Sequence, residues 1–266
     1  MSPGFNCPKD SILADVAQGL QRNGITALLY DPRNTGASEG FPRNEIDPPK
    51  QVEDFSDALT YMLGLEVVDP ERIGLWGISF GGMVAACAAA LDKRAKFVIM
   101  TCPLVKLYDP GLMPRVLEKT AKDRMAQLKG NKPFMLPLVT QDGYNPTGLV
   151  GQSGKEVYEA LKYLNARSPE WEMKTTLQSY YRVAMWQPHG LIQTMMAQTP
   201  VLVIIPGNDN LCPPEKQVAF FETLQGPKQK LVVAGKNHFN ILTDDQGILE
   251  AQIDFVHRWT ASRRSP

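Results

Sequence analysis

The strongest constraint on the fold is a glycine-flanked serine that lies between an apolar run and a helical pattern. The stretch "GLWGISFGG" (74–82) contains the pattern G-x-S-x-G around Ser79. Side chains at the flanking glycines would clash across a sharp strand-to-helix turn, and such a turn holds the serine hydroxyl above the edge of a sheet. The motif therefore predicts that Ser79 is a nucleophile on a strained turn after a parallel strand.

Five apolar runs alternate with helical patterns, which predicts an α/β fold with a doubly wound, mainly parallel sheet. Continuous apolar runs are typical of strands that are covered on both faces. The predicted strands are 24–31, 72–79, 95–103, 200–207 and 229–235. Helical spacing of apolar residues lies at 8–23, before Gly64, from Met83 to Leu91, around 221–224 and from Leu249 to Val256.

The segment from 104 to 198 interrupts this alternation. It holds 7 of the 11 methionines and six of the eight tyrosines. One interpretation is an irregular helical subdomain that uses methionine as core filler; the other is a lid over an adaptable apolar pocket. We expect a core formed by 1–103 and 199–266, with 104–198 as an inserted, mostly helical lid in a chain of 266 residues.

A serine nucleophile needs a general base, and the chain has only three histidines. His238 follows the fifth predicted strand, in a loop at the carboxyl end of that strand. His257 lies inside the last helical pattern, where a structural role is expected. His189 belongs to the irregular segment, where it is either a surface residue or a substrate contact. Position in the chain therefore favours His238 as the base.

The imidazole in turn needs a carboxylate that fixes its tautomer. Asp209 follows the fourth predicted strand in a Gly/Asn/Pro-rich turn, "PGNDNLCPP" (206–214). The chain order Ser79, Asp209, His238 is the order that this architecture uses. Asp109, after the third predicted strand, is the alternative acid, and a turn cap is the alternative role for Asp209.

Two main-chain N–H groups are candidates for an oxyanion hole. Phe80 N–H lies at the start of the helix that follows Ser79, where the helix dipole is favourable. Phe5 N–H lies in the Gly-Phe turn of "SPGF" (2–5), just before the first predicted helix. The alternative is that this stretch is a frayed terminus.

Composition argues against several other functions. The net charge is +0 and there is no basic run, which disfavours nucleic acid and acidic membrane surfaces as partners. The apolar runs are too short to span a bilayer. Four isolated cysteines predict reduced thiols and a cytoplasmic protein. Neither a metal site nor a nucleotide cofactor is expected, because histidines are far apart and no G-x-G-x-x-G follows a strand.

Several stretches around these candidates resemble the sequences of α/β-hydrolases. They are the Gly-Phe loop, "YDPRNTGASEG" (30–40), "DPERIGLWGISFGG" (69–82), "PGNDNLCPP" (206–214) and "GKNHF" (235–239). The block D-x-R-x-x-G-x-S-x-G is most similar to the branch related to dienelactone hydrolases and X-Pro dipeptidyl-peptidase cores. Within it, the whole chain, including "WEMKTTLQS" (171–179), resembles fungal polyketide thiohydrolases and polyketide transferases.

The chain departs from this family in two ways. Pro3-Gly4 stands where family members usually carry His-Gly. The two or three strands that precede this loop in the family are also missing, so we expect an N-terminally shortened form with an unpaired sheet edge.

The resemblance implies acyl transfer from a thioester or ester through Ser79. The expected function is thiohydrolase release of a polyketide acyl chain in secondary-metabolite biosynthesis, with an apolar acyl substrate and the acyl-carrier domain of a polyketide synthase as partner. The alternatives are an acyltransferase that passes the acyl group to an alcohol, including macrolactone formation, and a non-catalytic ligand-binding protein on the same fold. Peptidase activity follows from the X-Pro-like branch, but the chain offers no obvious carboxylate pair for a substrate amino terminus.

Overall fold

The fold is built around a parallel sheet with helices on both sides. The computed structural model describes residues 1–148, 154–243 and 246–261. The strands are β1 (Leu75–Ile78), β2 (Val98–Thr101), β3 (Met135–Pro137), β4 (Lys174–Thr176), β5 (Val201–Pro206) and β6 (Lys228–Val233). The helices are α1 (Lys9–Arg22), α2 (Pro48–Leu63), α3 (Phe80–Leu91), α4 (Met113–Leu128), α5 (Lys155–Ala166), α6 (Leu177–Met185), α7 (His189–Met195), α8 (Pro214–Thr223) and α9 (Gln246–Ala261).

The main sheet has four parallel strands in the order β1-β2-β5-β6. Every residue of β1, β2 and β5 is buried, which is the burial that continuous apolar runs predict. Alternate side chains face opposite cores. Leu75 and Val203 pack with α2, α3 and α8, whereas Trp76 and Leu202 pack with α1 and α9. The predicted α/β arrangement is therefore confirmed.

The helices follow the apolar spacing of the sequence. In α1 the buried residues include Leu13, Val16 and Leu20, which lie on one face of a helix. The start of α2 is fixed by Asp47, whose side chain accepts a hydrogen bond from Lys50 N, and by Pro48 in the first turn. These features orient α1 and α2 against opposite faces of the sheet.

The predicted strand at 24–31 is wrong. This segment has no strand pairing among the described residues. The segment is instead held by single hydrogen bonds, such as the one that the Met1 amino group donates to Leu28 O at 2.9 Å. A cavity of about 260 Å³ lies between residues 24–28 and β1. An apolar run satisfies the burial pattern of a strand, but a strand also needs a partner with which to form a hydrogen-bonded ladder.

In the described part of the 104–198 segment, the regular structure consists of helices α4 to α7 and a short antiparallel pair, β3 and β4. Tyr180 and Ile192 join the core on the α2 and α3 side of the sheet. By contrast, Trp171 packs with Leu161 and Leu164 in a separate apolar cluster. The segment thus extends the main core and also builds its own. The lid boundaries at 104 and 198 stay a prediction.

The packing of α1 can be tested by truncating Leu13, which is fully buried. We expect Leu13→Ala to lower the free energy of unfolding by about 2–5 kcal/mol, because it leaves a cavity under the sheet. Leu128→Ala removes the same atoms from a residue that is 85% exposed and should change that free energy by less than about 0.5 kcal/mol. Urea denaturation measures both; equal losses would contradict the assigned packing.

Candidate active site

Ser79 lies on a strained turn between β1 and α3. Its backbone has φ 56° and ψ −123°, a conformation that non-glycine residues rarely adopt. A Cβ added to Gly77 would lie 2.1 Å from Gly81 O, so the turn can close this tightly only with glycine at 77. The Ser79 N–H donates to Thr101 O at 2.8 Å, which ties the turn to the end of β2.

The structure brings Ser79, His238 and Asp209 together. His238 Nε2 lies 2.9 Å from Ser79 Oγ, and His238 Nδ1 lies 2.8 Å from Asp209 Oδ2. All three residues are buried. Each follows the carboxyl end of a parallel strand, since Ser79 comes after β1, Asp209 after β5 and His238 after β6. The arrangement has the geometry of a nucleophile, a base and an orienting acid.

Asp209 is held rigidly by its own turn. Its Oδ1 accepts the main-chain N–H groups of Leu211 and Cys212, both at 2.9 Å. Gln217 Nε2 donates to Oδ2 at 3.0 Å. The alternative acid, Asp109, instead accepts from Gly111 N at 2.8 Å and has a side chain that is 37% exposed. The geometry therefore favours Asp209.

Burial and the neighbouring side chains have opposite effects on the pKa of His238. Burial alone lowers its pKa, but the neighbouring Cys102 and Asp209 side chains raise the pKa by more, so the net direction is upward. Cys102 Sγ–H donates to the His238 carbonyl at 3.9 Å. The Asp209 carboxylate is the charge that favours imidazolium at this position.

The loop at residues 2–5 packs against the Ser79 turn. Ser2 N–H donates to Trp76 O at 3.0 Å, and Ile78 N–H donates to Ser2 O at 3.3 Å. A Cβ added to Gly4 would lie 3.5 Å from Ser79 Cβ. The loop is thus packed beside the serine and is not frayed.

Two main-chain donors beside Ser79 are free. Within the described residues, neither Phe5 N–H nor Phe80 N–H has a hydrogen-bond acceptor. Phe80 is the first residue of α3, where unpaired N–H groups and the helix dipole favour negative charge. The two phenylalanine rings meet edge to face, with centroids 5.3 Å apart, which locks the two segments together.

The other two histidines lie outside this cluster. His189 begins α7, where its ring contacts that of Phe220 with centroids 5.6 Å apart, and burial lowers its pKa. His257 is exposed on α9. Neither has a hydrogen bond to Ser79 or Asp209 among the described residues.

Two cavities meet at His238. The inner cavity, about 90 Å³, is lined by Ser79, Phe5 and a mostly apolar wall. The outer cavity, about 840 Å³, shares His238 and Phe239 with it and has a more polar rim. Further residues of the inner wall are Ile12, Leu138, Val139, Val157, Leu161 and Leu164. An apolar group attached to Ser79 therefore has an apolar space beside it.

Several residues that shape the site have no clear signal in the sequence. Gln217 supports Asp209 from one turn into α8. Tyr180, from α6, lines the inner cavity. Asn6 directly follows Phe5, adopts φ 59° and is buried. Its position after a Gly-Phe pair is the one local hint, because asparagine tolerates left-handed backbone better than most residues do.

The described residues contain no group of three or more His, Cys, Asp or Glu side chains placed to hold a metal ion. In the same parts of the chain, no helix has the length and apolar character that crossing a membrane requires.

The comparison with known families identifies the chain. The model of the family described as "Serine aminopeptidase, S33" matches residues 9–246. The chain belongs to this family of α/β-hydrolases. The predicted fold class is thereby confirmed, and the chain is an enzyme of the hydrolase or acyltransferase type that uses serine acyl-transfer chemistry.

Curated fungal relatives are similar over nearly the whole chain. The chain is 42% identical over 260 residues to a thiohydrolase of Eupenicillium brefeldianum, which covers 96% of this chain and 84% of the relative. It is 41% identical to polyketide transferase claH of Penicillium crustosum, and the alignment covers 96% of this chain and 86% of that relative. It is 38% identical to acyltransferase drtE of Aspergillus calidoustus, and the alignment covers 97% of this chain and 85% of that relative. The resemblance inferred from the motifs is confirmed.

Solved structures agree with this assignment. DcsB in complex with its substrate analogue superposes with a TM-score of 0.92 at 39% identity, with 98% of this chain and 89% of that chain covered. The α/β hydrolase GrgF from Penicillium sp. sh18 gives a TM-score of 0.88 at 39% identity, with the same shares covered.

The contact between Gly81 and Pro3 can be tested by adding a methyl group. A Cβ at Gly81 would lie 2.1 Å from Pro3 O, whereas a Cβ at Gly82 would lie 3.3 Å or more from its neighbours. We expect Gly81→Ala to displace the 2–5 loop and to reduce turnover on the order of 10²-fold. Gly82→Ala is the matched control and should lose far less. Thioester turnover at equal folded fraction measures both, and equal turnover in the two variants would refute the contact's importance.

Proposed function

We propose that this enzyme is a thiohydrolase that releases a polyketide acyl chain from a thioester through an acyl-enzyme on Ser79. The observation that carries the proposal is the Ser79–His238–Asp209 hydrogen-bonded chain beside an apolar cavity. The names of the fungal relatives, which include thiohydrolases and polyketide transferases, support a polyketide acyl group.

In the acylation step, His238 Nε2 takes the proton of Ser79 Oγ while Oγ attacks the thioester carbonyl carbon. The carbonyl oxygen becomes an oxyanion and accepts hydrogen bonds from Phe5 N–H and Phe80 N–H. The tetrahedral intermediate then collapses, the C–S bond breaks, and the imidazolium gives its proton to the leaving thiolate. Asp209 stabilises the imidazolium throughout and keeps its own charge.

Deacylation repeats these steps with water. His238 removes a proton from water, the hydroxide oxygen attacks the ester carbonyl on Ser79, and the proton passes back to Ser79 Oγ as the free acid leaves. The same two main-chain donors stabilise the second oxyanion. Both steps therefore use one arrangement of groups, and no cofactor is needed.

The two cavities are suited to different parts of the substrate. The inner, apolar cavity is suited to the acyl carbons next to the carbonyl. The leaving thiol has to lie within reach of His238, which protonates it, and the outer cavity of about 840 Å³ is the larger of the two cavities that His238 lines. That space accommodates an extended, amide-bearing thiol arm, which supports the acyl-carrier domain of a polyketide synthase as partner. All four cysteines are free thiols, which fits the reducing conditions of the cytoplasm.

Acyl transfer to an alcohol is the second candidate function. It is favoured by the size of the outer cavity and by relatives named polyketide transferase and acyltransferase. An alcohol in that cavity would replace water as the nucleophile at the acyl-enzyme. The product would then be an ester, or a macrolactone if the alcohol belonged to the acyl chain itself.

Peptidase activity has less support despite the family description. An aminopeptidase needs an acidic group to bind the substrate ammonium, and none of the described residues that line the inner cavity is Asp or Glu. Two carboxylates line the outer cavity: Asp15 is already paired with Arg167, with 2.6 Å between Oδ2 and Nη1, and Glu156 lies in the first turn of α5.

The role of Asp209 can be tested through the pH dependence of kcat/KM. Because the Asp209 carboxylate raises the pKa of His238, Asp209→Asn should lower that pKa and move the acid limb of the profile to lower pH. The rate itself should fall on the order of 10³–10⁴-fold, because the imidazole loses its orienting acceptor. Asp109→Asn should leave both the limb and the rate unchanged. A shift in the Asp109 variant alone would contradict the assignment.

The reaction can be tested with a long-chain acyl thioester of N-acetylcysteamine. We expect release of thiol and free acid, and a loss on the order of 10³-fold or more in Ser79→Ala. Mass spectrometry of the products, with and without an added alcohol, separates the two candidates: free acid in both cases supports the thiohydrolase, and a dominant ester supports the acyltransferase. Equal turnover by wild type and Ser79→Ala would contradict both.

A further inference from the structure

Asn6 connects the Phe5 loop to a distant part of the chain. Its Oδ1 accepts a hydrogen bond from Trp171 Nε1 at 3.0 Å. Its Nδ2 donates to Lys174 O at 2.9 Å and to Asn44 O at 3.5 Å. Asn6 is 3% exposed, so losing the bond from Trp171 would leave its buried Oδ1 without a partner. The residue is thus fixed from three directions.

The backbone of Asn6 is part of the turn that presents Phe5. Cys7 N–H donates to Gly4 O at 3.1 Å and closes a four-residue turn. Phe5 and Asn6 are its central residues, and Asn6 has φ 59°. A turn of this kind fixes the direction of each of its peptide N–H groups. Whatever holds Asn6 therefore also holds Phe5 N–H, which lies beside Ser79.

Trp171 also belongs to the wall of the substrate site. It is 5% exposed and packs in one apolar cluster with Val139, Leu161 and Leu164. These three residues line the inner cavity. The indole therefore contacts the wall of the proposed acyl pocket and, through Nε1, holds the loop that carries one proposed oxyanion donor.

We propose that Asn6 is a positioning residue for Phe5 N–H. Hydrogen bonds to the Trp171 indole and to the main-chain carbonyl of Lys174 hold Asn6 in place, so that Phe5 N–H points at the oxyanion. The proposal rests on the proposed acyl-transfer function. Asn6 does not touch the reacting atoms; it acts through the turn. The segment that walls the acyl pocket and the segment that stabilises the oxyanion are thereby connected by hydrogen bonds.

The test uses Trp171→Phe, which removes the Nε1 donor but keeps an aromatic ring. Trp259→Phe is the control for the loss of an indole: Trp259 is half-buried on α9, where its ring packs against that of Phe255 with centroids 6.4 Å apart, on the α1 and α9 side of the sheet. Asn6→Gly is the second variant, because glycine keeps the left-handed turn and loses only the side-chain bonds.

The first readout is the rate at which a fluorophosphonate probe labels Ser79, since its phosphoryl oxygen uses the same donors as a thioester oxyanion. We expect the probe to label Trp171→Phe and Asn6→Gly about tenfold more slowly than wild type, as for the loss of one buried hydrogen bond.

The second readout is thioester turnover. Here kcat should fall about tenfold while KM stays within about twofold, because the lost interaction stabilises the transition state. Trp259→Phe should leave both readouts within about twofold.

Labelling by Trp171→Phe at the same rate as by Trp259→Phe would overturn the positioning role, as would a rise in KM with unchanged kcat. If Asn6→Gly does not fold, Trp171→Phe decides alone. A wild-type protein that is labelled at Ser79 but cleaves no thioester would contradict the proposed function instead, and the labelling rates would still decide the role of Asn6.

Discussion

The close approach of the 2–5 loop to the Ser79 turn is the contact on which the site depends. Ser2 pairs with the main chain of β1 through Trp76 O and Ile78 N, and Pro3 O fits against Gly81 with no room for a Cβ. Glycine in the motif therefore has two physical roles. Gly77 lets the turn close on itself, and Gly81 lets a second segment lie against it, so that main-chain donors from two segments reach the same side of the serine.

The sequence could predict the three-residue cluster because the sheet is parallel. The carboxyl ends of parallel strands meet at one edge, and side chains that directly follow different strands are brought together there. Ser79, Asp209 and His238 follow β1, β5 and β6, and neither of the other two histidines occupies such a position. The choice between Asp209 and Asp109 needed the structure, since both carboxylates follow strands and only the former reaches the imidazole.

Two features could not be predicted, for different reasons. The 24–31 run has the composition of a buried strand, but local composition does not report whether a partner strand is present. The Asn6–Trp171 bond joins residues 165 positions apart, and neither hydrophobic periodicity nor spacing contains information about such a pair. Strand ends, helix faces and glycine turns are local properties of the sequence, whereas the hydrogen bonds that orient a loop depend on the completed fold.

The turn at 209–212 determines which ring nitrogen of His238 carries the proton. A buried carboxylate is costly unless its oxygens are hydrogen-bonded, and here Oδ1 accepts from two main-chain N–H groups while Oδ2 accepts from Gln217 and His238. Because main-chain donors occupy Oδ1, Oδ2 is the oxygen that faces the ring, which assigns the proton to Nδ1 and leaves Nε2 free to accept from Ser79. The 209–212 turn thus sets the tautomer of His238. In this tautomer, Nε2 can take a proton from either water or an alcohol. The choice of acceptor must then depend on what fills the outer cavity after the thiol leaves, since the proton-transfer groups do not distinguish the two.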